Sequence, residues 1–291
     1  MPDTATKIDL ASWVEGARAD PIAYRQRQAT EVTLNAIAMS AHLQEELYLK
    51  GGILMGLAYA SPRQTTDIDL TASFLAEPDV DNQICDLLND IFPRVTTTLG
   101  YPDLLMKVHS IKRQPRGKFE TADFPALKLK IAYAIRGSKQ ETALNEGKSV
   151  DVVEVDISFN EPTKNIQILE LTGGAEIRAY SLADLIGEKY RAMLQQPIRR
   201  RNRRQDVYDL DLLISGRNIN EQLRTQILEV LFLKCWSRNI NPTIHSLSDP
   251  EVQRRAGAEW DSLKLEIGDI PDFAEAFDRV AAFYRSLPWN S

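Results

Sequence analysis

Leu47-Tyr48-Leu49-Lys50-Gly51-Gly52-Ile53 and, further along the chain, Asp67-Ile68-Asp69-Leu70 carry the reading on which the fold turns. Leu47 to Lys50 is a short apolar run that suits a β-strand. The two glycines end it, because a turn without side chains tolerates backbone angles that other residues avoid. Ile53 to Ala60 then suits a short helix starting at that turn, and Ile68 to Ala72 a second strand. Side chains alternate across a strand, so Asp67 and Asp69 fall on one face while Ile68 and Leu70 point to a core.

A later segment, Val150 to Phe159, repeats this logic. Val153, Val155, Ile157 and Phe159 form its apolar side, and Asp156 projects opposite together with Glu154. Three carboxylates brought to one end of a sheet repel one another unless a cation joins them. Asp67, Asp69 and Asp156 are therefore candidate metal ligands, and oxygen donors of this kind suit Mg²⁺ or Mn²⁺. Two such ions can activate an attacking hydroxyl and hold a triphosphate for in-line displacement. The Gly51-Gly52 turn lets backbone N–H groups approach phosphate oxygens at a helix start. A lone Asp-x-Asp or a lone Gly-Gly carries little information; the order strand, Gly-Gly, short helix, Asp-x-Asp strand, later Asp strand carries far more.

Outward from this core, residues 22 to 44 read as one helix entered through Pro21, and residues 80 to 92 as another. Strands are expected at 104–111, at 127–135 (with Lys128 and Lys130 opposite Leu127, Leu129, Ile131 and Tyr133) and at 166–171. After about residue 180 the pattern turns helical. Ser181 with Asp184 resembles a capping box for a helix reaching about Gln195, and further helices fit 203–214, 219–236 and 271–286. The chain thus reads as an α+β fold, a mixed sheet flanked by helices and followed by a helical C-terminal region. Residues 1–175 are expected to form the catalytic domain and 176–291 a helical domain.

Composition narrows the class. The 291-residue chain is 43% apolar and 26% charged, as soluble globular proteins are. Cys85 and Cys235 form no Cys-x-x-Cys pair, and His42, His109 and His245 are scattered, which argues against a disulfide framework and a Cys/His metal cluster. Met1 to Val14 lacks the pattern of a secretory leader, and no apolar run approaches a membrane span, so a cytoplasmic protein without membrane partners is expected. The net charge of −6 gives no global attraction to nucleic acid. Locally the opposite holds: Arg199, Arg200, Arg201, Arg203 and Arg204 crowd one short segment and form a candidate RNA-binding patch whose phosphate contacts would be blind to sequence. The basic turn at Lys112, Arg113, Arg116 and Lys118 would add to it. A solvated loop is the plainer alternative for the arginine run.

The ordered motifs resemble the nucleotidyltransferase fold and, more narrowly, the AbiEii/AbiGii toxin family. The resemblance starts at Leu49-Lys50-Gly51-Gly52 and runs to Arg63-Gln64-Thr65-Thr66-Asp67-Ile68-Asp69-Leu70. It resumes at Val155-Asp156-Ile157-Ser158-Phe159, Tyr180-Ser181 and Glu188-Lys189, and ends at Arg203-Arg204-Gln205-Asp206-Val207-Tyr208-Asp209-Leu210. It implies transfer of a nucleoside monophosphate from an NTP to an acceptor, with Mg²⁺ or Mn²⁺ at Asp67, Asp69 and Asp156. Lys50, Gly51, Gly52, Arg63, Thr65, Thr66, Lys189 and Arg203 would hold the nucleotide. It further implies a toxin of a toxin–antitoxin or phage-defence pair, an antitoxin partner, and a tRNA end as the acceptor. Two positions depart from the family pattern. Ile53 stands where many members carry a hydroxyl residue, leaving only backbone N–H groups for that contact, and Gln205 replaces a lysine.

Lys189 lies in line with Leu185, Ala192 and Met193 at helical spacing. Either its stem snorkels along the apolar stripe or its ammonium reaches a triphosphate; the resemblance favours the second. Asp206 would orient Lys189 or Arg203 or assist the acceptor, whereas Asp209 reads as a helix-start charge favoured by the dipole. The same chemistry directed at a protein or small-molecule hydroxyl is a competing reading, as is a nucleotide-binding regulator without turnover.

Overall fold

The structure is a computed structural model that describes residues 5–63, 65–148 and 151–289. Met1–Thr4 of the leader reading, Gln64 of the first motif and Val150 of the expected third strand lie outside the described residues. In chain order the elements are β1 (Thr6–Ile8), α1 (Leu10–Glu15), α2 (Pro21–Met39), α3 (Ala41–Glu46), β2 (Leu47–Lys50), α4 (Gly51–Tyr59), β3 (Ile68–Ala72) and α5 (Val80–Thr98). Next come β4 (Leu104–Gln114), β5 (Ala126–Ile135), α6 (Lys139–Asn145), β6 (Val152–Ser158), β7 (Ile166–Leu171) and β8 (Glu176–Tyr180). The remainder is helical: α7 (Leu182–Leu194), α8 (Gln196–Arg199), α9 (Arg204–Ser215), α10 (Glu221–Trp236), α11 (Pro250–Gly257), α12 (Lys264–Ile267) and α13 (Phe273–Arg285). Among the described residues no helix is long and apolar enough to cross a membrane.

Two compact units result. The first comprises Met1–Ala58, Thr65–Glu161 and Gln167–Ala179; the second comprises Tyr59–Gln64, Pro162–Ile166 and Tyr180–Ser291. The first is built on an eight-stranded sheet in the order β1-β7-β8-β2-β3-β6-β5-β4. The sheet is mixed, since β3 runs parallel to β6 but antiparallel to β2, and β5 is antiparallel to both β4 and β6. Its central strands bury one face: Ile68, Leu70, Val153, Val155 and Ile157 are all at most 2% exposed. This is the face that alternation assigns to the core.

Differences from the sequence expectation have local causes. The helix expected over 22–44 is two helices, because Ser40 is extended (φ −92°, ψ 110°) and ends α2. Serine hydrogen-bonds well outside helices, which makes it a natural interruption. The helix expected to end at 92 continues through Pro93 to Thr98, since Val80, Ile84, Leu88, Phe92 and Val95 form one buried stripe across the proline. In β5 the expected alternation holds from Leu127 to Ile131. Beyond it Ala132, Tyr133 and Ala134 are all buried, because α6 covers the second face there through Leu144.

In the second unit α7 packs against α10, and α9 against α13. The Ser181–Asp184 cap forms only in part. The Ser181 hydroxyl accepts from Asp184 N, but the Asp184 carboxylate accepts from Lys164 N (3.1 Å) and Asn165 N (2.7 Å) instead of closing the box. Burial raises the Asp184 pKa despite Lys234 nearby and these two donors. Asp184 therefore ties the start of α7 to the Pro162–Ile166 segment. Ser181→Ala is expected to cost about 1 kcal/mol in urea denaturation. Asp184→Ala should cost more, because it strands two backbone donors. Equal losses would contradict this assignment.

Candidate functional site

In the β3–β6 ladder Asp69 pairs in register with Asp156. Residues paired in this way on parallel neighbours project from the same face, and here that face is the one opposite the buried Ile68, Leu70, Val155 and Ile157. The two carboxylates therefore stand side by side. Asp67 lies just before the strand and is exposed, and its carboxylate accepts from the Thr66 hydroxyl at 3.1 Å. The half-buried Lys50 is the register partner of Asp69 on β2.

Gly51 and Gly52 do more than end a strand. Gly51 has φ +71°, and a Cβ placed on it would lie 2.7 Å from the Asp69 carboxyl carbon. A Cβ on Gly52 would lie 2.8 Å from Thr65 Cγ2. The turn is thus bare of side chains partly so that Asp69 and Thr65 can pack onto it. It opens α4 at Gly51 itself, leaving the first backbone N–H groups of that helix without intrahelical acceptors.

The same face carries a row of lysines that the sequence reading placed on a strand but not at the site. Lys128 on β5 is in register with Asp156, and Lys130 with Glu154. Their ammonium groups lie 2.6 Å from Asp156 Oδ2 and 2.9 Å from Glu154 Oε1. The hydrogen bond to Asp156 raises the Lys128 pKa, with smaller contributions from Glu154 and Asp67. Lys112 on β4 stands directly opposite Lys128. The signal was available: Lys128/Lys130 and Glu154/Asp156 share the same two-residue period on strands that pair.

Among the described residues no three Asp, Glu, His or Cys side chains are gathered as a ready metal-ligand set. What the fold assembles is the Asp69–Asp156 pair, with Asp67 two residues upstream of Asp69. Adjacent carboxylates facing away from the core, one of them seated on a glycine cradle, are the donor chemistry that a hard divalent cation takes.

The second unit holds a separate polar cluster. Lys189 on α7 is buried, with its ammonium 2.6 Å from Asp209 Oδ2 and 3.3 Å from Asp206 Oδ1. Arg63 Nη2 lies 3.3 Å from the same Asp209 oxygen, and Arg203 Nη1 3.8 Å from Asp206 Oδ2. Burial works against the Lys189 charge, but Asp209 and Asp206 outweigh it and raise its pKa. Asp209, which reads in sequence as a helix-start charge, is fully buried and makes the shortest contact of the cluster; Asp206 is the residue in the first turn of α9. Arg63 Nε, Asp206 Oδ2 and Asp209 Oδ1 are buried without hydrogen-bond partners among the described residues. Three cations against two carboxylates leave an excess positive charge in the cluster.

The arginine run divides. Arg199, Arg200 and Arg201 are exposed, Arg203 faces Asp206, and Arg204 pairs with Glu259 at 3.1 Å. In the basic turn Arg113 is held by Asp81 (2.6 Å) and Glu120 (3.0 Å), while Lys112, Arg116 and Lys118 are exposed. A buried lysine with no motif, Lys234, donates to the Pro162 carbonyl at 2.8 Å and lies over the Tyr180 ring. Nothing in the α10 sequence marks it, because its partners come from segments distant in the chain.

The family model for the nucleotidyl transferase AbiEii toxin of type IV toxin–antitoxin systems matches residues 33–282. Two solved structures from Helicobacter pylori share the fold. JHP933 is 13% identical, with a TM-score of 0.51 and 92% of each chain covered. A candidate nucleotidyltransferase is 12% identical, with a TM-score of 0.50, covering 92% of this chain and 95% of its own. No curated protein matches the chain in sequence.

Removing one partner of a buried ion pair leaves an uncompensated charge, at a cost of about 3–5 kcal/mol. Asp209→Ala is expected to lose that much in chemical denaturation, and Asp206→Ala clearly less, because Asp206 is more exposed and farther from Lys189. The raised Lys189 pKa fixes the pH sense: its contribution is complete below the ordinary value of 10.5 and fades as pH rises through the higher folded value. Denaturation midpoints that stay flat through strongly alkaline pH would contradict it.

Proposed function

The chain belongs to the AbiEii nucleotidyl transferase toxin family, and from that premise we propose how this nucleotidyltransferase works and what it modifies. Family membership makes it an enzyme that uses an NTP and sets it in a toxin–antitoxin system with a cognate antitoxin. The reading adds Mg²⁺ or Mn²⁺ as cofactor, RNA as acceptor with a tRNA end as its target, and action in the cytoplasm. It assigns residues 1–175 to a catalytic domain and 176–291 to a helical domain, while the observed units leave Glu176–Ala179 of β8 with the first and put Arg63 with the second.

One observation carries it: the register that sets Asp69 beside Asp156 on one face, with Gly51 clearing space for the Asp69 carboxylate. Asp67, Asp69 and Asp156 would hold the divalent ion, which supplies charge neutralisation for the triphosphate and acidifies an attacking hydroxyl. The acceptor hydroxyl oxygen forms a bond to the α-phosphorus, the α–β bridging P–O bond breaks, and pyrophosphate leaves. In this reading Asp156 completes the site and helps take the hydroxyl proton. Lys50, Thr65, Thr66 and the N–H groups of Gly51 and Gly52 would contact phosphate oxygens. Lys189, Arg63 and Arg203 are cationic donors of the kind that bind phosphate strongly. Asp206 and Asp209 hold Lys189 in position. With Ile53 in place of a hydroxyl, backbone donors carry the contact at the turn. Of Arg203 and Arg204, which precede Gln205 in the chain, Arg204 is engaged by Glu259.

The exposed Arg199, Arg200 and Arg201 support RNA over a small cationic acceptor, because three neighbouring exposed guanidinium groups favour a polyanion. Asp69→Ala is expected to abolish label transfer from α-labelled NTPs to bacterial RNA while keeping the wild-type melting temperature. Gly51→Ala should lower transfer by about a hundredfold, by forcing the Asp69 carboxylate off its seat. Undiminished transfer by Asp69→Ala would end this reading, and label on protein in place of RNA would move the acceptor.

A further inference from the structure

The charge row across the sheet contains a group that the transfer chemistry does not call for. Lys128 donates to Asp156 Oδ2 at 2.6 Å from the neighbouring strand, in register. On its other side stands Lys112, directly opposite on β4. Like charges directly opposite in a ladder are unfavourable, so the Lys128 ammonium is driven toward β6. There Asp156 is itself crowded by Asp69, its register partner on β3. A cation pushed from one side and two anions repelling on the other make a matched arrangement, and it fills the coordination of the carboxylate that a divalent ion would use.

We propose that Lys128 is the resident counter-cation of Asp156, holding that carboxylate in the metal-free protein and yielding it when a divalent cation binds. Lys128 is a positioning residue in this account. It has somewhere to go, since Glu154, the register partner of Lys130, is its diagonal neighbour on β6 and lies within reach of a long side chain. The strength of the pair suits an exchange. Lys128 and Asp156 are 45% and 36% exposed at their side chains, and pairs this exposed shift an equilibrium by no more than about fivefold. That is enough to seat the carboxylate and too little to lock a metal out. The inference rests on the metal reading given under the proposed function.

Mn²⁺ binding to the purified full-length protein, without nucleotide or turnover, tests it. Free Mn²⁺ is read by electron paramagnetic resonance for wild type, Lys128→Met, Lys130→Met and Asp69→Ala, and melting temperatures are taken in EDTA and in saturating Mn²⁺. Lys128→Met should bind Mn²⁺ about two- to fivefold more tightly, melt lower than wild type in EDTA, and regain most of that loss in Mn²⁺. Lys130→Met, which frees Glu154 to receive Lys128, should tighten binding by less than Lys128→Met does. Lys128→Gln reads the same way if methionine is poorly tolerated. Unchanged or weaker Mn²⁺ binding by both Lys128 variants, or a melting loss equal with and without Mn²⁺, overturns the proposal. If wild type binds no Mn²⁺ that Asp69→Ala abolishes, the metal reading itself falls and the proposal with it. Normal wild-type binding with an indifferent Lys128 overturns the proposal alone.

Discussion

Two carboxylates side by side on parallel strands are an electrostatic liability, and much of the first unit is arranged around that liability. The β3–β6 register fixes Asp69 next to Asp156. The apolar residues between and beneath them are buried so completely that the register cannot slip: a shift of one residue would turn Ile68, Leu70, Val155 and Ile157 out to solvent. Repulsion between the acids is therefore imposed by the core and must be relieved on the polar face. Lys128 relieves it from one side, while the glycine turn gives the Asp69 carboxylate its seat from the other.

What could be read from sequence follows from what is local. Alternation within a strand assigned Asp69 and Asp156 to the polar face, because the burial of their neighbours depends only on a two-residue period. The order of Gly-Gly and Asp-x-Asp marks the turn and the strand that pack together at Gly51 and Asp69. Strand pairing is not local. That β5 lies beside β6, setting Lys128 against Asp156, is a fact of topology that the Lys128/Lys130 period hints at and cannot fix. Asp209 is the matching case: its partners, Lys189 and Arg63, lie far away in the chain, so its burial leaves no periodic trace. Ser40 and Pro93 show the reverse error. Each was weighed by its local habit, and the surrounding packing decided the outcome, against the expected helix at Ser40 and for it at Pro93.

The second unit solves a different problem. A lysine on the apolar stripe of α7 would lose its charge to burial if it were alone. Asp209 and Asp206 keep it charged and hold its ammonium in one place. On the proposed nucleotide-binding reading, such a cation would meet an incoming anion already oriented, with little reorganisation left for the binding event. Arg63 shares the Asp209 oxygen and is fixed by the same economy of acceptors.

The Asp209 contacts also set an order in time. Arg63, Lys189 and Asp209 come from segments of the chain separated by as many as 146 positions. A ribosome delivers the first of them long before the last. While the nascent chain is short of Asp209, Lys189 has no buried acceptor at that position and α9 is not yet present to close over it. The strands bearing Asp69 and Asp156 are complete by then, so the carboxylates exist before the cation cluster does. For a member of a toxin family, this ordering means that partial chains carry the carboxylate pair without the buried Lys189 cluster, which is complete only once α9 has been delivered.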